Sequence, residues 1–338
     1  MSTNLHEVIA NAQEKIGFSG SVYVSGDNHI LIEESYGYAN RSEEIKNTSS
    51  TRYGIASGCK LFTAIAICQL VEAGKITFDS RLSDCVDIDF KHFDLNITIH
   101  HLLTHTSGVA DYFDEEVMDD FEELWIKNPM YHIRNLSDFL PLFQHEQMKN
   151  QVGEKFHYNN AGFILLGLIV EKISGVPFTE YVQKHIFDKA NMTDSGYFSF
   201  DRLPAKTALG YIDNADGTWR TNIYSLPAKG GSDGGAYVTV ADMAKLWKAF
   251  LNDQLLSESY TKKMLLEHAK VSATGSYGYG VWIKKQENRV LKYHVMGYDP
   301  GVSFHSAYYP DLSVTVVVCS NKSDGAFDIL SAIEKQLI

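Results

Sequence analysis

Strand-like alternation stands at the two ends of this chain, and helix-like patterning fills the middle. "GSVYVS" and "HILIEESYGYA" are period-two runs on either side of Gly26-Asp27-Asn28, a hairpin signal. Far downstream, after Gly275, "YGYGVWIKK", "VLKYHVM", "VSFHSAYY" and "SVTVVVCS" follow one another at hairpin spacing. Connections that short impose antiparallel pairing. The economical arrangement is one antiparallel sheet assembled from both ends of the sequence. Residues 1–16 are amphipathic, with Leu5, Val8, Ile9, Ala12 and Ile16 on one face, and "DGAFDILSAIEKQLI" closes the chain as a second amphipathic helix. These two helices are expected to cover the sheet. Between the strand-rich ends lie "NAGFILLGLIVEKISG", "PFTEYVQKHIFDKA", "TVADMAKLWKAFLND" and "SESYTKKMLLEH", all helical in pattern, three of them opened by a capping Thr or Ser or by Pro177. The expected class is α+β, an α/β/α sandwich in a single domain over 1–338. The sheet region is 1–79 plus 236–338, and a mostly helical region, 80–235, is inserted between.

Of 338 residues, 44% are hydrophobic and 21% charged, enough apolar material for a large core and too little charge for a disordered chain. The formal net charge of −12 argues against a nucleic-acid partner. The acidic run "DYFDEEVMDDFEELW" reads as a solvated helix face. The longest apolar runs fall well short of the ~20 residues a membrane span needs, and no signal peptide is visible. Cys59, Cys68, Cys85 and Cys319 are scattered without a C-x-x-C pair, so free thiols and a cytoplasmic location are expected. The oligomeric state is not legible.

Three serines stand in settings that could activate a hydroxyl, which needs a neighbouring base at neutral pH. In Ser57-Gly58-Cys59-Lys60 the i, i+3 spacing puts the lysine amine on the same helical face as the serine. The helix start offers unpaired N–H groups and a positive dipole end to a developing oxyanion. Lys60 is followed by Leu, Phe, Ala, Ile, Ala and Ile, so this helix is expected to be buried, and burial disfavours a charged amine. Ser259-Tyr260-Thr261-Lys262 has the same spacing on a one-sided helix and reads as solvated. Gly230-Gly231-Ser232-Asp233-Gly234 fits a nucleophile elbow in letters only: Pro227 and Lys229 precede it where a buried strand is required. A glycine-rich loop approaching a cleft is the better reading.

About a hundred residues after Ser57 stands Tyr158-Asn159-Asn160, just before a long apolar helix. With Ser57-x-x-Lys60, "HLLTHTSGV", "YNNAGFILLG", "KGGSDGGAYVTVADMAKL", "GYGVWI" and "GYDPGVS" in that order, the chain resembles the serine β-lactamase and penicillin-binding protein superfamily. The likeness is to its class C-like branch of β-lactamase-related hydrolases, D-peptidases and esterases. The resemblance implies a β-lactamase/transpeptidase-like fold and an acyl-transfer site. Ser57 is then the nucleophile and Lys60 assists its deprotonation. Tyr158 is base and later acid, as a phenolate held by neighbouring ammonium charge. Asn160 orients Lys60 and binds the substrate amide.

The family's third motif, a strand-borne Lys or His, then Thr or Ser, then Gly, is altered here to "YHVMGYDPGVS". If "GYDPG" sets the alignment, Val295 falls at the cationic position. If His294 keeps that role, the strand must bulge by one residue. Gly297 allows close backbone approach, and the N–H of Tyr298 is the implied second oxyanion donor. The expected activity is a serine hydrolase working through an acyl-enzyme on an amide or ester: a D-amino-acid peptide, a short ester or a β-lactam. The alternative is a penicillin-binding or sensing protein with little turnover. The expected partner is a small-molecule or peptide substrate. No metal and no cofactor are expected: His101 and His105 lack the H-E-x-x-H frame, and the Gly230–Gly235 cluster lacks a Walker ending.

Overall fold

The computed structural model describes residues 2–26, 29–287 and 289–338. Its centre is an eight-stranded antiparallel sheet. In chain order the strands are β1 (Gly20–Gly26), β2 (His29–Tyr36), β3 (Ala269–Lys270), β4 (Gly275–Tyr277), β5 (Trp282–Gln286), β6 (Arg289–Asp299), β7 (Val302–Tyr309) and β8 (Val314–Ser320). Across the sheet they run β2-β1-β8-β7-β6-β5-β4-β3. The two ends of the sequence therefore interlock, with β1 paired to β8 through Val22↔Val318. β1 and β2 pair from Gly20↔Tyr36 to Gly26↔His29 as the alternation predicts. Asp27 and Asn28 of the expected turn lie outside the described residues.

Helices that the site depends on are α1 (Ser2–Ile16), α2 (Lys60–Glu72), α3 (Asn160–Ser174), α4 (Val240–Leu251) and α5 (Ala326–Leu337). Side-chain alternation decides which of them meets which face of the sheet. Val22, Val24, Ala307, Val316 and Val318 pack with Leu5 and Ile9 of α1 and with Ile329, Leu330 and Ile333 of α5. Val295, Phe304, Val317 and Cys319 face the other way, into a core shared with α2, α3 and α4. Trp247 of α4 ties that core to the sheet by donating its indole N–H to Ser306 Oγ at 2.8 Å. The terminal helices thus cover one face, and α4 covers the other, with α2 and α3 packed behind it in the same core.

The residues of α2 from Lys60 to Cys68 are all buried, as the one-letter pattern predicts for a helix apolar all round. Phe62 meets Phe187 edge-to-face at 5.1 Å. The four cysteines are free and buried. No single described helix is long and apolar enough to cross a membrane.

Three local expectations need correction. "YGYGVWIKK" is not one strand: it breaks after Tyr277 and resumes at Trp282, with Gly280 at φ 71° between. "PFTEYVQKHIFDKA" starts as an α-helix over Phe178–Val182 and widens into a π-turn over Gln183–Phe187. The acidic run forms no solvated helix. Its aspartates accept nearby backbone N–H groups, Asp114 from Glu116 and Asp120 from Glu122, an alternative that competes with helix formation. Only Phe121–Glu123 and Leu124–Lys127 coil briefly.

Phe62 is fully buried, so Phe62→Ala should cost about 3–5 kcal/mol of unfolding free energy. Urea denaturation followed by far-UV circular dichroism measures it. A loss below about 1 kcal/mol would contradict the packing of α2 described above.

Candidate active site

Ser57 lies in a 3-10 turn, Ala56–Cys59, that leads into α2 at Lys60. The expected helix therefore starts three residues later than its letters imply, and the i, i+3 relation survives because the turn is itself helical. Ala56, just before Ser57, is held at φ 44°, in the left-handed region that costs a non-glycine residue of order 1 kcal/mol or more.

Lys60 is 2% exposed, and its ammonium is fully coordinated. Nζ donates to Ser57 Oγ at 2.8 Å, to Asn160 Oδ1 at 2.8 Å and to the Asp233 carbonyl at 2.7 Å. An ammonium has three protons, and all three are placed. Each acceptor comes from a different part of the chain: the turn before α2, the start of α3 and the glycine-rich loop.

Each part is fixed by its own local chemistry. Asn159 caps α3 by accepting Gly162 N–H at 2.6 Å, and its amide donates to the Val109 carbonyl. Asp111 accepts the next two orphan N–H groups, Asn160 at 2.6 Å and Ala161 at 2.9 Å, and its Oδ2 also takes the Asn160 side-chain amide. Asn160 is thereby turned so that its carbonyl oxygen faces Lys60. In the glycine-rich loop, Thr63 Oγ1 donates to the Ser232 carbonyl, which positions the next carbonyl, that of Asp233, over Nζ. Tyr112 donates its hydroxyl to Asp233 Oδ2.

Tyr158 stacks over this centre, its ring 4.9 Å from Lys60 Nζ. Behind it lies the buried His105 ring at 4.5 Å, whose Nδ1 accepts Asn159 N–H. Burial raises the Tyr158 phenol well above its ordinary range, and the Glu115 carboxylate adds to that; the Ser57 hydroxyl beside it acts the other way. The expectation of a phenolate held by ammonium charge is corrected: Tyr158 rests as a neutral phenol. Cys59, next to Ser57, is pushed up to about 12 by burial and is an inert packing thiol.

Ser57, Asn160, Asp233 and Tyr298 line one cavity of about 460 Å³, together with Gly230, Gly231, Gly234 and Gly235. The acidic run forms a wall of it through Tyr112, Phe113, Glu115 and Phe121. The chain carries the nucleophile-type serine, an amine and a phenol at one end of a substrate-sized cleft.

The Beta-lactamase family model matches residues 6–337. The chain belongs to the Beta-lactamase family. A penicillin-binding protein of Bacillus halodurans, known from its crystal structure, is 60% identical, with a TM-score of 0.94 over 97% of this chain and 99% of that one. The putative penicillin-binding protein PbpX of Bacillus subtilis (strain 168) is 27% identical over 95% of this chain and 75% of its own length. The D-amino acid amidase of Ochrobactrum anthropi shares the fold, with a TM-score of 0.80 at 18% identity over 98% of this chain and 99% of that one.

In this Beta-lactamase-family chain, the residues singled out in the sequence do not all meet. Ser57, Asn160 and Tyr298 line the cavity, and Lys60, Tyr158 and Gly297 gather around Ser57 beside it; His294 does neither. β6 pairs with β7 without a shift, from Tyr293↔Tyr308 to Asp299↔Val302, so the bulge that His294 requires is absent. His294 therefore shares the α5 face with Ala307 and Lys292, while Val295 faces the α2 core. Burial, then Lys292, lowers the His294 imidazole to about 3, so it is neutral. Ser232 is fully buried against Gly167 of α3 and cannot meet a substrate. Ser259 and Lys262 are exposed, and Lys262 pairs with Glu258. His101 bonds Thr98 through Nδ1, and His105 accepts Asn159 N–H at its own Nδ1. Asp114, Glu116 and His157 form a carboxylate–imidazole cluster elsewhere, and Lys149 Nζ already answers it at 2.6 Å from Asp114. Asp111 and Glu115 were not singled out in the sequence; they are two acids in a run of acids, and no spacing rule marks them.

Gly297 is the tightest contact of the strand with the serine turn. A Cβ there would stand 2.2 Å from the Ile55 carbonyl oxygen and 2.7 Å from Ser57 N. Beyond His294 the strand runs past the end of β5, which leaves its edge from Val295 to Asp299 without a strand on that side among the described residues, beside Ser57. Gly297→Ala should thus displace the strand from the turn and slow acylation of Ser57 by about a hundredfold, the scale of losing one oxyanion donor. Mass spectrometry of the intact protein after a reactive ester reads this directly, and wild-type acylation in the variant contradicts it.

Asp111 is raised to about 7 and Asp299 to about 8, burial being the largest cause for both. An acid raised on folding contributes stability that is full below its unfolded value of about 4 and is lost as pH climbs through the folded value. The melting temperature should fall between about pH 4 and about pH 8. Asp299→Asn should flatten the upper part of that fall; an unchanged slope in the variant contradicts the assignment.

Proposed function

We propose that this protein is a serine hydrolase that cleaves an amide or ester through an acyl-enzyme on Ser57. The observation that carries the reading is the Lys60 amine, buried and 2.8 Å from the Ser57 hydroxyl. When neutral, the amine keeps two donations, to Asn160 Oδ1 and to the Asp233 carbonyl, and turns its lone pair to the serine. Ser57 Oγ then attacks the carbonyl carbon as its proton passes to Lys60 Nζ. The oxyanion forms at the start of the helical turn, where Ser57 N–H and Tyr298 N–H are the donors. Tyr158, a neutral phenol, is suited to give its proton to the leaving group and to be reprotonated from Lys60. Water then releases the acyl group by the reverse sequence.

A second reading has its own support. The Bacillus halodurans relative is called a penicillin-binding protein, and Tyr158 held neutral is a poor base for activating water. On that reading Ser57 acylates and remains acylated. Incubation with a fluorescent penicillin and with a chromogenic ester, followed by mass spectrometry and product release, separates the two. Turnover lost in Ser57→Ala and kept in Ser232→Ala supports hydrolysis, and turnover surviving Ser57→Ala overturns it. A stoichiometric adduct without product supports the second reading. Lys60→Arg should abolish acylation, since a guanidinium cannot accept the proton.

A further inference from the structure

Outside the Ser57 cavity, one histidine lies between two carboxylates. His157 is buried, its side chain 3% exposed. Its Nε2 stands 3.3 Å from Asp114 Oδ1, and its Nδ1 stands 3.1 Å from Glu116 Oε1. Neither ring nitrogen makes a hydrogen bond among the described residues. Both oxygens lie off the line of an N–H, so the approaches are close without being bonds. A buried imidazole with two unanswered nitrogens is costly. The oxygens beside it have the spacing of ligands on one cation. A metal bonded at about 2.0–2.2 Å to nitrogen and oxygen, with angles of about 90–110°, sets them about 3.0–3.4 Å apart and off the axis of the ring nitrogen. One ring nitrogen and one oxygen of each carboxylate lie within 4.8 Å of one another here.

The charge around the imidazole is left negative. Asp114 and Glu116 carry two charges, and Lys149 returns one, at 2.6 Å from Asp114 Oδ2. Lys149 thus occupies one oxygen of Asp114 and leaves Oδ1 to face His157. Asp114 is itself buried and accepts Glu116 N–H, so His157 and Asp114 form a fixed pair. Glu116 is the movable arm. Its side chain is 59% exposed, which opens a route from solvent and lets the carboxylate turn onto an ion. Water completes the coordination. One imidazole and two carboxylates suit zinc and its neighbours among the divalent transition metals, whereas calcium and magnesium favour all-oxygen sets.

We propose that His157, Asp114 and Glu116 bind one divalent transition-metal ion, zinc foremost, as a clamp outside the catalytic cleft. None of the three lines the Ser57 cavity, but their chain neighbours reach it. Glu115, between the two carboxylates, is in the cavity wall, and Tyr158 follows His157 directly. The ion fastens that wall to the segment that carries Tyr158. His157 N–H already ties this segment to the His105 carbonyl at 2.8 Å. The site is independent of the acyl-transfer reading, since it needs nothing from Ser57.

The full chain, stripped with a chelator, is titrated with zinc by calorimetry, with calcium and magnesium as controls. One zinc should bind per chain, equally in wild type and Ser57→Ala, and about a hundredfold or more tightly than calcium or magnesium. Glu116→Gln, at an exposed position that does not threaten folding, should weaken binding by about tenfold or more, and Asp114→Asn likewise. Lys149→Met removes a competing positive charge and should strengthen it. Zinc at about a hundred times its Kd should raise the melting temperature by about 4 °C, and by less in Glu116→Gln at the same concentration. X-ray absorption at the zinc edge should show nitrogen and oxygen donors without sulfur. Affinity that survives both carboxylate variants, sulfur bound to the zinc, or calcium held as tightly as zinc overturns the site. So does the lack of saturable zinc binding below about 1 mM.

Discussion

One ammonium group joins the molecule at its centre. Lys60 is buried at the head of α2, where an unpaired charge would be costly by several kcal/mol. Its three protons are answered by a serine hydroxyl, an asparagine carbonyl and a backbone carbonyl. Those acceptors lie on three segments that share no secondary structure, so satisfying the lysine amounts to docking them on one another. The coordination that makes burial tolerable is also the one that points the amine at Ser57. Stability and chemistry therefore make the same demand on the fold at this point.

The carboxyls show the reverse side of that economy. Asp111, Asp233 and Asp299 all feel the Lys60 charge, and burial still raises all three. One lysine does not balance three buried acids. Asp111 is compensated by backbone N–H groups at the start of α3, and Asp233 by the Tyr112 hydroxyl. Asp299 has the least answer from the protein, and with Asp233 it lines the cleft.

Much of this was legible in the letters, and the legible parts share a cause. Period-two runs such as "SVTVVVCS" report a sheet with two covered faces, and they became strands of the central sheet. The burial of Lys60 followed from the apolar residues around it, because a helix with no polar face has nowhere to be but inside. Ser259 and Ser232 were set aside on the same ground of context, and they lie on the surface and against α3. What the letters did not carry depends on register or on distant partners. A one-residue ambiguity at His294 decides which face of a strand a side chain takes, and only the unshifted pairing of β6 with β7 resolves it. The acidic run looked solvated because charge usually is. Here Asp111 is drawn inward by N–H groups fifty positions away, and nothing near it in the chain announces them. The neutrality of Tyr158 was missed for a related reason: ammonium proximity was visible in prospect, whereas the depth of the phenol and the nearness of Glu115 were not.

The interlocking of β1 with β8 bears on the order of events during synthesis. β1 lies between β2 and β8 and cannot be flanked on both sides until almost the whole chain has emerged from the ribosome. The same holds for the strand edge that faces the serine turn, since Gly297 follows Ser57 by most of the sequence. Long-range pairing of this kind is slow to form. A nascent chain would thus carry Ser57 and Lys60 without the strand edge beside them until its last strands arrive. The topology completes the cleft only at the end of synthesis.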